Sequence, residues 1–117
     1  MLIDDIEIQN FIVKRMIKKL SEDYEIYDYT YASKALDDIN KVNPDIIFLD
    51  IDMPKINGWK FLQIMKENDL RNSVYILTSS TSELDVQKSK NYDNVKDFLI
   101  KPLTKDVLKN ICTSIYN

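Results

Sequence analysis

The chain has no histidine and a single cysteine, Cys112. Without an imidazole there is no base for a serine nucleophile and no usual zinc centre, and one thiol makes neither an internal disulfide nor a thiolate cluster. Any metal held here must be held by oxygen. Glycine is almost missing as well: Gly58 is the only one, so several turns must be made by Asn, Asp or Ser instead. No apolar run approaches membrane-spanning length and the N-terminus lacks a charged-then-apolar signal pattern, which predicts no membrane insertion and a cytoplasmic location. No run of lysine or arginine is long enough to form a basic patch, and the net charge of -3 is mild. Direct binding of nucleic acid is therefore not expected.

What is present fits one globular domain over 1–117. The 117 residues, 44% of them hydrophobic and 30% charged, suffice to bury most of their apolar surface but not to build a second core. No linker, repeat or low-complexity segment interrupts them.

Leu2-Ile3 is a brief apolar run ending in Asp4-Asp5. A helical pattern follows, with Ile8, Ile12, Met16 and Leu20 at every fourth residue and Phe11, Val13 and Ile17 widening the stripe. Tyr24 to Tyr31 reads as a partly exposed edge strand, and Ser33 as the cap of a short helix to about Asn40 with Ala35, Leu36 and Ile39 inward. Ile46-Ile47-Phe48-Leu49, bounded by Pro44 and the Pro54 to Gly58 turn, reads as a central strand buried on both faces. Asn57-Gly58 leads into a helix carrying Phe61, Leu62 and Met65, with Trp59 near its start. Val74 to Leu77 is a further buried strand. Ser82 to about Lys90 reads as a helix capped by Ser82 with Asp85 in its first turn. It has only Leu84 and Val86 as apolar residues and is the least anchored element. Val95 to Ile100 is the last strand, and Thr104 to Tyr116 the last helix, with Val107, Leu108, Ile111 and Ile115. Cys112 is expected in the core or half-buried. Strands alternating with helices at this spacing predict a doubly wound α/β fold, a five-stranded sheet parallel throughout.

Four of these strands end in polar residues: Asp4-Asp5, Asp50, Thr78 and Lys101. In a parallel sheet the carboxyl ends share one edge, where open α/β sheets bind ligands. A buried aspartate at a strand tip needs a partner, a metal or a chemical task, because an unpaired buried charge costs several kcal/mol or shifts its pKa to neutralise. Three carboxylates brought together call for a divalent cation, and a small set of oxygen ligands favours Mg2+. Lys101 adds a point charge and Thr78 a hydroxyl donor for phosphoryl oxygens, which leaves Asp50 as a nucleophile toward phosphorus.

These stretches, Leu2 to Asp5, Asp45 to Asp50 with Met53-Pro54 and Asn57-Gly58, Leu77-Thr78-Ser79, and Phe98 to Pro102, resemble the receiver domain of two-component response regulators in order and over nearly the whole chain. The resemblance implies the flavodoxin-like sheet, strand order 2-1-3-4-5. It implies that Asp50 accepts a phosphoryl group from a phosphohistidine of a sensor histidine kinase or phosphotransfer protein. Asp5 would bind Mg2+ directly, Asp4 directly or through water, and Asp52 through its backbone carbonyl. Thr78 and Phe98 match the family's switch pair, Lys101 would bridge to the phosphate, and the Lys101-Pro102 bond is often cis. The implied output is a shift of the fourth helix that alters the face it forms with the last strand and last helix, for a downstream protein target.

The sequence departs from the family in its first strand, which has only Leu2 and Ile3 before the acids, and in Asn91 to Asn94, which lacks the glycine common there. Two other readings compete. Asp50-Ile51-Asp52 also suits a phosphatase of the haloacid dehalogenase type, although Met53-Pro54 and the early acid pair argue against it. The other reading is an interaction module that keeps the fold without being phosphorylated. Asp4-Asp5 alone would fit a solvated strand end, Thr78 alone a turn, and Phe98 plain core.

Overall fold

A computed structural model of the protein describes residues 1–53, 55–79 and 83–114. Five strands form one parallel sheet in the order β2-β1-β3-β4-β5. They are β1 (Leu2–Ile3), β2 (Asp28–Tyr29), β3 (Ile46–Asp50), β4 (Ser73–Thr78) and β5 (Val95–Ile100). The helices α1 (Glu7–Leu20), α2 (Ala32–Val42), α3 (Gly58–Glu67), α4 (Glu83–Ser89) and α5 (Lys105–Thr113) alternate with them.

The inner strands β1, β3 and β4 are mostly apolar because both faces are covered, and successive side chains divide between two cores. Ile47 and Leu49 of β3 and Val74 and Ile76 of β4 join Ala35 and Ile39 of α2 and Phe61, Leu62 and Met65 of α3 on one face. Phe48 and Leu77 join Ile17 of α1 and Leu108, Ile111 and Cys112 of α5 on the other. β3 is the middle strand, so its carboxyl end opens at the centre of the sheet edge.

The scarcity of glycine is met as expected at two turns: Asn43 and Asp69 take left-handed backbone at φ 46° and 55°. Lys55 does so as well, at φ 65°, although its side chain gives it no local hydrogen bond to favour that conformation. The one glycine serves close approach, since a Cβ on Gly58 would lie 2.6 Å from the Ile51 Cα. Its N–H donates to the Ile51 carbonyl at 3.2 Å, and Asn57 caps α3 by accepting from the Lys60 N–H at 2.9 Å.

Three local expectations are corrected. Only Asp28–Tyr29 of the expected edge strand pairs with β1, while Tyr24 turns into the α1–α5 core. Ser33 does not cap α2: the helix starts from Tyr31 with no side-chain cap, because burial of Ala32 brings the first turn forward and leaves Ser33 inside it. On α1 the apolar residues wrap more of the helix than the sheet covers. Ile8, Phe11 and Ile12 are exposed, and the buried residues are Asn10 and Ile17. The fourth-helix cap assigned to Ser82 and the end of the last helix, with Ile115 and Tyr116, lie outside the described residues; α5 begins at Lys105 with the Thr104 hydroxyl accepting from the Val107 N–H.

Candidate functional site

The carboxyl ends of β1, β3, β4 and β5 bring Asp4, Asp5, Asp50, Thr78 and Lys101 to one edge. Asp50 is the last residue of β3 and is only 4% exposed; Asp4, just beyond β1, is 3% exposed. The Lys101 ammonium lies between them, donating to Asp4 Oδ2 at 2.8 Å and to Asp50 Oδ2 at 3.2 Å. Asp5 completes the group: carboxylate oxygens of Asp4, Asp5 and Asp50 all lie within 4.8 Å of one another.

The second oxygens of Asp4 and Asp50 are also held. Asp4 Oδ1 accepts from the Ile6 N–H at 3.0 Å and Asp50 Oδ1 from the Asp52 N–H at 2.9 Å. Burial pushes the Asp50 carboxyl above its ordinary range, opposed by the Asp52 N–H and by the charge of Lys101. For Lys101, burial pulls downward, but the hydrogen bonds and charges of Asp4 and Asp50 outweigh it and the net shift is upward. The ammonium therefore stays charged. Three carboxylates against one ammonium leave two formal negative charges, which one divalent cation would cancel. The donors are hard oxygens, few in number and gathered at one point, a set that fits Mg2+.

Thr78 ends β4 and is buried at 2% exposure. It stands one residue beyond Leu77, the register partner of Asp50, and its carbonyl accepts from the Lys101 N–H at 2.8 Å. The Lys101-Pro102 peptide is cis. The Asp52 side chain is exposed at the mouth. Phe98 is half-buried on β5 with its ring 6.2 Å from Trp59. Trp59 in turn stacks on Tyr92 at 6.4 Å and lies 5.0 Å beneath the Lys88 ammonium of α4.

One residue at this edge escaped the sequence reading. The Asn10 amide donates to the Asp4 carbonyl at 3.1 Å and to the Tyr29 carbonyl at 3.0 Å, joining the ends of β1 and β2. Its signal in the sequence is slight, a polar residue on the helix face that carries Val13 and Ile17.

A doubly wound parallel sheet whose carboxyl edge gathers an oxygen-only cation pocket and a lysine defines a class of α/β proteins suited to phosphoryl chemistry. Within that class, the family model of the response regulator receiver domain matches residues 1–113, and the chain belongs to that family. It is 34% identical over 99% of its length to a protein-glutamate methylesterase/protein-glutamine glutaminase of Methanospirillum hungatei, and 28% identical over 95% to hybrid signal transduction histidine kinase C of Dictyostelium discoideum. The chain spans 37% and 10% of those two proteins. Among solved structures, a two-component response regulator from Cytophaga hutchinsonii superposes with a TM-score of 0.86 at 33% identity, covering 99% of this chain and 94% of that one. The role is that of a phosphoacceptor signalling domain, and neither the phosphatase reading nor the unphosphorylated module is favoured.

Proposed function

We propose that Asp50 is the phosphoacceptor of this receiver and that a phosphohistidine on a sensor histidine kinase or phosphotransfer protein is its donor. The observation that carries this reading is the Lys101 ammonium held between Asp4 and Asp50. An Asp50 carboxylate oxygen attacks phosphorus, the phosphorus–nitrogen bond to the donor imidazole breaks, and an acyl phosphate remains on Asp50. Mg2+ bound by Asp4, Asp5, Asp50 and the Asp52 carbonyl would supply the charge that lets a phosphoryl group approach three carboxylates. Lys101 then exchanges its contact with Asp50 for a phosphoryl oxygen, and the Thr78 hydroxyl donates to another. The same groups promote the domain's own phosphorylation and its later hydrolysis.

The donor is expected to dock beside the site on the exposed face that Ile8, Phe11 and Ile12 of α1 make with Ile6 just before it. That face follows directly on the acid pair in the chain, so a helical donor seated there presents its phosphohistidine to the same edge. Output runs the other way: movement of Thr78 toward the phosphoryl group frees space for Phe98 to turn inward and releases α4, changing the α4-β5-α5 face seen by a downstream protein. Among the described residues no helix is long and apolar enough to cross a membrane.

Incubation with a small acyl phosphate and Mg2+ tests the reading. The expected product is one labile phosphoryl adduct by mass, absent in Asp50→Asn. Sustained hydrolysis of aryl phosphates would instead point to a phosphatase.

A further inference from the structure

We propose that Asn10 is a positioning residue for the acid pair: by tying the Asp4 carbonyl to the end of β2 it fixes how the Asp4-Asp5 backbone leaves the sheet, and so sets the affinity for a divalent cation. The proposal rests on the metal reading above. Asn10 is 2% exposed within α1 and gives both amide hydrogens to main-chain carbonyls, Asp4 at 3.1 Å and Tyr29 at 3.0 Å. Two carbonyl acceptors require two donors on one short side chain. Asparagine supplies them, whereas an ionised aspartate offers only acceptors, a serine one donor and a leucine none.

The pairing of β1 with β2 does not need this amide. The Leu2 N–H already donates to the Tyr27 carbonyl at 2.8 Å and the Asp4 N–H to the Tyr29 carbonyl at 3.1 Å. An apolar side chain would also suit a core position flanked by Val13 and Ile17. What Asn10 adds is closure around Asp4, whose N–H, Oδ1 and Oδ2 are held by Tyr29, Ile6 and Lys101. With the Asp4 carbonyl fixed as well, the Asp4-Asp5 peptide has one orientation, and Asp5 leaves it toward Asp50. Mg2+ tolerates little departure from octahedral geometry, so an error in that peptide reaches the metal.

Calorimetric titration of Mg2+ into the full chain, comparing the wild type with Asn10→Leu, Asn10→Ser and the control Ile17→Val on the same helix, tests this. Both Asn10 variants are expected to bind Mg2+ more weakly by roughly tenfold to a hundredfold, the usual effect of removing a residue that orients a ligand. Ile17→Val should keep the wild-type affinity although it loosens the same core. A folded Asn10 variant that binds as tightly as the wild type overturns the proposal, while a wild type that binds no Mg2+ overturns the metal reading beneath it. Where neither variant folds, the wild type decides: the Asn10 side-chain amide protons should shift in NMR during the titration, and their staying fixed at saturation refutes the role.

Discussion

The helices α3 and α4 follow neighbouring strands of the same sheet and differ in almost everything that holds a helix down. In α3, Phe61, Leu62 and Met65 are fully buried, Asn57 caps the first turn, and Gly58 is pressed onto the Ile51 backbone. In α4, Leu84 is 81% exposed, Val86 is exposed, and the buried residue is Ser89, whose hydroxyl returns to the Val86 carbonyl at 2.6 Å. The Lys88 ammonium of α4 lies over Trp59, and Tyr92, just beyond the helix, stacks on the same ring. Stability is thus concentrated beside the strand end that carries Asp50 and withheld where a signal has to move something. Segments with few buried apolar contacts open locally at small cost, so α4 can shift while the sheet and α3 stay intact.

Removing a principal α3 anchor should have the largest effect. Phe61→Ala is expected to cost about 3–5 kcal/mol in urea denaturation, the usual loss for a fully buried aromatic; a loss near zero would break the picture of α3 as the fixed platform. Gly58→Ala comes next, at about 1–3 kcal/mol, because the new methyl meets backbone instead of a flexible side chain. Hydrogen exchange should then separate the two helices, with the amides of 83–89 exchanging well before those of 61–67. Equal protection would erase the contrast. Leu84→Ala should be the smallest, within about 0.5 kcal/mol of wild type, as for surface positions free of special features.

Much of this was readable because the chemistry lies at strand ends. An apolar run closing on Asp50, repeated in kind at Asp4-Asp5, Thr78 and Lys101, places those residues on one edge from topology alone. The parallel doubly wound sheet and the weakness of α4 were legible in the pattern of apolar residues, whereas the strand order was implied only by the resemblance to the receiver family. Other features depended on tertiary fit. Which side of α1 faces inward was set by the width of sheet on offer, and Ile8, Phe11 and Ile12 were left outside it. Burial of Ala32, not the hydroxyl of Ser33, decided where α2 begins. Lys55 in left-handed backbone has no sequence signal at all, since the side chain neither favours nor caps that turn. Asn10 was hidden for a related reason: its value lies in two carbonyls from separate strands that meet only in the fold.

The central claim, that the carboxylate at the tip of β3 takes the phosphoryl group, is tested most directly by chemical trapping. An acyl phosphate is reduced by borohydride to an alcohol, so an aspartyl phosphate is converted to homoserine at the residue that carried it. After exposure to a phosphorylated donor and Mg2+, peptide mass mapping should find homoserine at position 50. Homoserine at Asp4, Asp5 or Asp52 with Asp50 unchanged would contradict the assignment.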